Sequence, residues 1–423
     1  MNEEFLHYIW KFRLFPQHQL TTISGESLQI VKPGEYNSDA GPDFFNAKLK
    51  IGTTEWAGNV EIHINASDWL KHHHTKDKAY ANIILHVVYN NDIALTGYQS
   101  HSFHTLELKN ILAPSLLQKY DSIKNSHDWI PCERSIHRVP NLIKQNWINR
   151  LLVERLEEKA SLIQQKLQLN TMNWEACLYE MLAKNFGFNV NAVPFEMLSK
   201  ALPFFVLQRH KNSLLQLEAL VFGSAGMLQQ NFHDNYLQAL QNEYLFLQKK
   251  HKLIPMEKHL WKFLRLRPAN FPSIRLAQFA AILHQTEHLF SKILHLDDLK
   301  YLRKLLNVEV STYWKNHFVP DKSSKKSVKK LGKSAFESIV INTIVPLLFV
   351  YGKKMGQELY VDRALKFLEL IKPENNSKIA PFKSLGFVLH SAYESQGLLQ
   401  LKNNYCTHKR CLQCAIGNNL LKN

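Results

Sequence analysis

Cysteine is scarce in this chain. Five in 423 residues is a sparse and odd set, which excludes a disulfide framework as the source of stability. Long apolar runs are missing as well. The best, IVINTIVPLLFVY (339–351), is short for a membrane span and carries Asn342, Thr343 and Pro346. The opening MNEEFLHYIW is acidic where a secretion signal is basic. No convincing fixed-period repeat is present. These absences predict a cytoplasmic protein with no membrane segment.

What is present is globular. Hydrophobic residues make up 45% and charged residues 21%, and the length suits two or more domains. Acidic residues are the minority, 36 against 52 Lys and Arg, for a net charge of +16. Residues 1–130 hold 11 basic against 14 acidic side chains, so the excess lies in the rest, 41 against 22. The stretch 249–333 alone has 19 against 6. A basic body of this kind suits nucleic acid as partner, through phosphate neutralisation and counterion release, although a solvated helical surface has the same composition.

The periodicity predicts an α+β chain, with a mixed α/β domain over 1–130 and a helical region over 131–423. A helix is expected at 3–15, a hairpin from LTTI (20–23) and SLQIV (27–31), and a strand pair turning at Gly52–Thr54. Ser67 is expected to cap a helix through about Tyr80, followed by the buried strand NIILHVVY (82–89). Helical spacing then recurs at 147–168, 174–186, 212–222, 234–248, 274–284, 334–350, 359–371 and 382–399. VPDKSSKKSVKKLGKS (319–334) is the one clear linker. Its Lys325, Lys326, Lys329 and Lys330 are candidate phosphate contacts.

GPDFFNAKLKIGTTEWAGNVEIHI (41–64) carries the chemistry. Alternation puts Glu61 and His63 on one strand face and Val60, Ile62 and Ile64 on the other, core face. Asp43 enters at the start of the preceding strand, after a Gly-Pro turn. Two carboxylates suit Mg²⁺ or Mn²⁺, and the imidazole shifts the preference toward Mn²⁺ or a later metal. His63 is either a ligand or a proton acceptor. Nearby, the helix read over SDWLKHHHTKDKAY puts Asp77 on a face with His73 and with His74, and gives His74 and Asp77 a supporting role; His72 reads as exposed surface. His86, inside an apolar strand, is either a core histidine or a further supporting group.

A Pro-Asp turn, one strand and an acid two residues before a functional side chain resemble the PD-(D/E)XK nuclease core. That resemblance implies an αβββαβ fold over about residues 1–95. It also implies metal ligation by Asp43 and Glu61, with Glu35, Glu3 or Glu4 as an accessory acid. The chain departs from the pattern where the family has lysine and this sequence has His63. Across its length the chain also resembles an uncharacterised bacterial family of unknown function, through PGEYNSDAGPDF, GNVEIH, SDWLKHHHTKDKAY, LHVVYNND, IPCE, RPANFPSIRLAQ and YCTHKRCLQCAIG.

NYCTHKRCLQCAIGN gathers Cys406, Cys411 and Cys414 in a C-x4-C-x2-C spacing that lets thiolates converge on zinc or an iron–sulfur cluster. Lys409 and Arg410 are expected to lower the thiol pKa values. The fourth ligand is either the nearby His408 or the distant Cys132; one early and three late cysteines resemble the cluster-bearing nucleases. Cys177 reads as core. In WKFLRLRPANFPSIRLAQFA (261–280), Arg265, Arg267 and Arg275 alternate with aromatics. The pattern fits phosphate contact and base stacking or, equally, a proline-shaped helix junction. The expected function is a metal-dependent nuclease. The alternatives are a nucleic-acid-binding or scaffolding protein on a degenerate nuclease core, and a hydrolase of small phosphorylated substrates.

Overall fold

The computed structural model describes residues 1–74, 77–95 and 103–423. The chain is α+β: a sheet-bearing N-terminal region, then many helices. It forms two compact units, Met1–Ile148 with Ser384–Phe387 and Gln400–Asn423, and Asn149–Lys383 with Val388–Leu399. The boundary expected at 130 therefore shifts. The C-terminal cysteine segment belongs with the sheet, because its apolar side chains Cys411, Leu412, Leu420 and Leu421 pack into the sheet's core.

Helix α1 (Glu3–Phe12) starts where the Asn2 side chain accepts the Phe5 N–H, and stops at Arg13, which turns left-handed at φ 51°. It buries Phe5, Leu6, Ile9 and Trp10 against the sheet. Strands β1 (Leu20–Thr21) and β2 (Ser27–Lys32) form the expected hairpin, with Leu20 opposite Leu28. The short β3 (Glu35–Tyr36) pairs with β4 (Phe44–Ile51), and β4 turns at Gly52 (φ 58°) into β5 (Thr54–Asn65). Strands β2, β4 and β5 are antiparallel neighbours. Strand β6 (Ile83–Asn90) then pairs parallel to β5, and β7 (His104–Glu107) parallel to β6. Val60, Ile62, Leu85 and Val87 join the core with α1 and α3 (Pro114–Lys124).

The crossover from β5 to β6 differs from the expected helix over 67–80. Helix α2 (Asp68–Lys71) is a single turn. Ser67 stands before it, but its hydroxyl donates to Asp92 (2.7 Å) instead of capping. His73 is left-handed (φ 59°), which ends the turn, and a short 3-10 turn follows at Lys78–Tyr80. Thr75 and Lys76, inside the expected helix, lie outside the described residues.

In the helical unit, the helices Trp174–Phe186, Leu214–Ser224, Asn235–His251, Pro272–Gln285 and Glu358–Leu370 lie where the periodicity put them. The expected helix over 382–399 is broken into Ala380–Ser384 and Ala392–Gln400. Gly386 is left-handed (φ 80°), and Glu394 takes the Ser391 N–H and hydroxyl at the restart. The apolar run at 339–351 lies in a helical stretch, 333–355, that is long and apolar enough to cross a membrane; 72% of its apolar window is buried within the protein. That stretch widens into a π turn at Val340–Ile344. Pro346 has no N–H for the Asn342 carbonyl four residues back, and the Asn185 amide donates to that oxygen instead (3.2 Å). The linker read at 319–334 begins on a hairpin, His317–Val319 with Lys322–Ser323.

Candidate metal centre beside the parallel strands

Glu61 and His63 share a face of β5, and the parallel register sets His86 of β6 beside Glu61. On the opposite face the same strands bury Val60 and Ile62. The alternation read from the sequence therefore holds, yet both faces are covered: Glu61, His63 and His86 are 4%, 1% and 0% exposed. The crossover does the covering, with Trp69, His72, His74 and Tyr80 over the imidazoles. Tyr80 stacks on His74 at 3.9 Å between ring centres.

The donor atoms face one another. His63 Nε2 lies 3.1 Å from His72 Nδ1 and 3.6 Å from Glu61 Oε1, and Glu61 Oε1 lies 3.3 Å from His74 Nε2. One nitrogen from each of His63, His72 and His74 lies within 4.8 Å of the other two. On its far side His63 Nδ1 is 2.8 Å from His86 Nε2. Asp43 braces the carboxylate: its N–H donates to Glu61 Oε2 (3.2 Å), and its own Oδ2 accepts the Ile62 N–H (2.9 Å). The Gly-Pro turn that delivers Asp43 is held by the Asn37 amide, which donates to the Asp39, Ala40 and Pro42 carbonyls. His7, one turn into α1, puts Nε2 3.2 Å from Asp43 Oδ2.

Burial and charge decide the protonation states. Burial, then the surrounding imidazoles His86, His74 and His72, hold the pKa of His63 down to about 2. His86 is held down to about 3, chiefly by burial. Both rings are neutral at ordinary pH, with a lone pair each. Burial raises Glu61, the His74 contact opposes it, and the Asp43 charge raises it further. At His7 burial disfavours charge, but the Asp43 carboxylate outweighs it, aided by Glu3 and Glu61, and the pKa rises.

Asp43, Glu61, His63, His74 and His86 thus come together. Asp77 does not: it is exposed and caps the 3-10 turn by accepting the Ala79 N–H. Of the accessory acids, Glu3 lies close enough to exchange charge effects with His72, His7 and Asp43. Glu35 pairs with Lys32 on the surface (2.8 Å) and Glu4 accepts from Gln413 (3.5 Å). His72 and His7 were missed by sequence reasoning. The run HHH was the signal for the first; the one-turn spacing of His7 from Glu3 was the signal for the second.

Elsewhere, Arg265, Arg267, Lys325 and Lys326 are exposed. Lys330 pairs with Glu309 (3.3 Å). Arg275 and Lys329 are buried, against the expectation that they present charge to a ligand. Arg275 bonds Gln278 and Asn270 over the Phe188 ring. Lys329 donates to the Trp314, Lys315 and His317 carbonyls.

Fold and site together define an α+β protein with a buried imidazole–carboxylate cluster on a mixed sheet. The chain belongs to the family described as protein of unknown function (DUF2851), which matches residues 3–377. No curated protein and no solved structure matches it.

Proposed function

We propose that the cluster is a divalent metal centre and that the protein is a metal-dependent phosphodiester hydrolase acting on nucleic acid. The observation that carries the reading is the donor spacing. A tetrahedral ion with bonds of about 2.0–2.1 Å sets neighbouring donors about 3.3–3.4 Å apart. The contacts His63–His72, Glu61–His63 and Glu61–His74 are 3.1, 3.6 and 3.3 Å. Three nitrogens and one carboxylate move the favoured ion from Mg²⁺ toward Zn²⁺ or Mn²⁺. The nuclease resemblance is supported by α1 ahead of an antiparallel β2, β4, β5 set with β6 added in parallel.

Such an ion supplies Lewis acidity and lowers the pKa of bound water. The chain's own groups do the rest. His63, His72, His74 and Glu61 would hold the ion. With the His63 Nε2 lone pair so used, its proton sits on Nδ1 and is donated to His86, which fixes the ring. Asp43 anchors Glu61 and orients His7. His7, partly exposed and paired with Asp43, would give a proton to the departing oxygen.

The test is hydrolysis of DNA and RNA oligonucleotides with Zn²⁺, Mn²⁺ and Mg²⁺ in turn, alongside metal binding. Glu61→Gln and His74→Ala should lose both metal and cleavage. His7→Gln should keep the metal and lose about 10²–10⁴-fold in rate. Cleavage that survives Glu61→Gln sinks the site. A second reading rests on His63, buried and uncharged where the nuclease pattern has lysine: salt-sensitive binding without cleavage under any metal would establish it.

A further inference from the structure

Four of the five cysteines meet in the sheet-bearing unit, although Cys132 is separated from Cys406, Cys411 and Cys414 by most of the chain. All four line one small pocket, with Ile130 and Leu401 among its apolar walls. Each of the six sulfur pairings is close enough for charge on one to act on another. Cys177 stays apart in the helical core. His408, the other candidate ligand, is exposed and does not line the pocket.

The backbone is shaped to bring the sulfurs in. Cys132 sits in a turn whose carbonyl takes the Ser135 and Ile136 N–H groups. Leu401–Cys406 is a π turn, a rare form that recurs at functional sites. Lys409 is left-handed (φ 52°), returning the chain to Cys411. Cys414 precedes the C-terminal helix Ala415–Lys422, so the Ile416 and Gly417 N–H groups and the Trp147 indole are directed at its sulfur. Donors aimed at sulfur favour the thiolate, the form that binds metal. The expected lowering of the thiol pKa values by Lys409 and Arg410 is overridden. Burial, then mutual repulsion, pushes Cys132 up to about 12, and burial does the same for Cys411. Cys132 and Cys414 are buried and Cys406 and Cys411 half-buried, with Lys402 and Lys409 the nearby positive charges.

The occupant follows from the spread of the sulfurs. A single zinc with Zn–S bonds of about 2.3 Å sets its sulfurs about 3.8 Å apart. The three imidazoles at the sheet gather donors within 4.8 Å of one another, and the four cysteines are not grouped in that way among the described residues. Separated thiolates around a common pocket are the arrangement in which each reaches a different iron. We propose that Cys132, Cys406, Cys411 and Cys414 ligate an iron–sulfur cluster. Assembly needs sulfide, ferrous iron and an electron acceptor such as ferric iron, because a cluster that bleaches on reduction holds part of its iron as ferric; the four thiols give up their protons to solvent. The cluster ties the C-terminal helix to the loop after α3, independently of the imidazole centre.

The test is metal analysis of the full-length protein purified without oxygen. Iron and acid-labile sulfide in comparable amounts are expected, with a visible absorption that bleaches on reduction. Cys132→Ser and Cys411→Ser should lose that iron, Cys177→Ala should keep it, and Glu61→Gln should leave it unchanged. Three results overturn the proposal. They are zinc without sulfide in the wild-type protein, no iron taken up on incubation with ferrous and ferric iron and sulfide, and iron unaffected by Cys411→Ser. The wild-type measurements decide even where a variant fails to fold.

Discussion

Glu218, in the helical unit, is a carboxylate with no exposure and an uneven set of partners. Its Oε2 accepts from the Tyr236 hydroxyl (2.6 Å), the Ser311 hydroxyl (3.2 Å) and the Trp314 indole (3.2 Å), while Oε1 is buried with no hydrogen bond. Burial pushes its pKa up to about 7, more than these three donors and the Ser311 N–H pull it down. The folded state therefore holds a proton that the unfolded chain releases near pH 4.5. The stability this adds is full below that pH and is lost as pH rises through about 7, on the order of 3 kcal/mol. Denaturant unfolding from pH 4 to 8 should show wild type losing stability relative to Glu218→Gln; parallel curves would refute the protonation. Residue-scale chemistry at the sheet was partly legible. Alternation alone pairs Glu61 with His63. It says nothing of His72, which is exposed as a residue yet turns Nδ1 to His63.

At the scale of elements, the largest departures from expectation occur where a helix stops early. Propensity and spacing allow a helix through 67–80, but His73 adopts a left-handed backbone, and that break returns His72 and His74 to the sheet. Side chains needed inside outweighed local helix preference. The C-terminal helix is positioned by a close approach as well as by its cysteines. A Cβ on Gly417 would fall 2.2 Å from the Cys411 carbonyl oxygen. Gly417→Ala should cost about 1–3 kcal/mol through forced displacement and lower iron retention, read by thermal unfolding and iron content together. Unchanged values of both would show that the helix has room to shift.

For the whole molecule, the excess of basic residues in the chain after 130 is real, but not every cation is available. Lys329 is spent on three carbonyls and Arg275 on two amide side chains. The exposed Lys325 and Lys326 remain candidates for phosphate. If they touch duplex DNA, the double substitution to Ala should weaken binding and reduce the log–log salt slope by about 2, near 0.9 per lost contact. A titration across potassium chloride concentrations with an unchanged slope would place the contact elsewhere.

Composition and periodicity by themselves determined the α+β class, the β4–β5 hairpin, the face shared by Glu61 and His63, and most of the helices. These depend on neighbours a few residues apart, whose spacing is a property of the chain. Only the tertiary structure decided that His72 joins the imidazoles, that His7 meets Asp43, and that Cys132 rather than His408 joins the late cysteines. It also decided that the last segment belongs with the first domain. Each of these contacts depends on long-range packing that closes a loop, and no local pattern encodes which distant residue will be there when it closes.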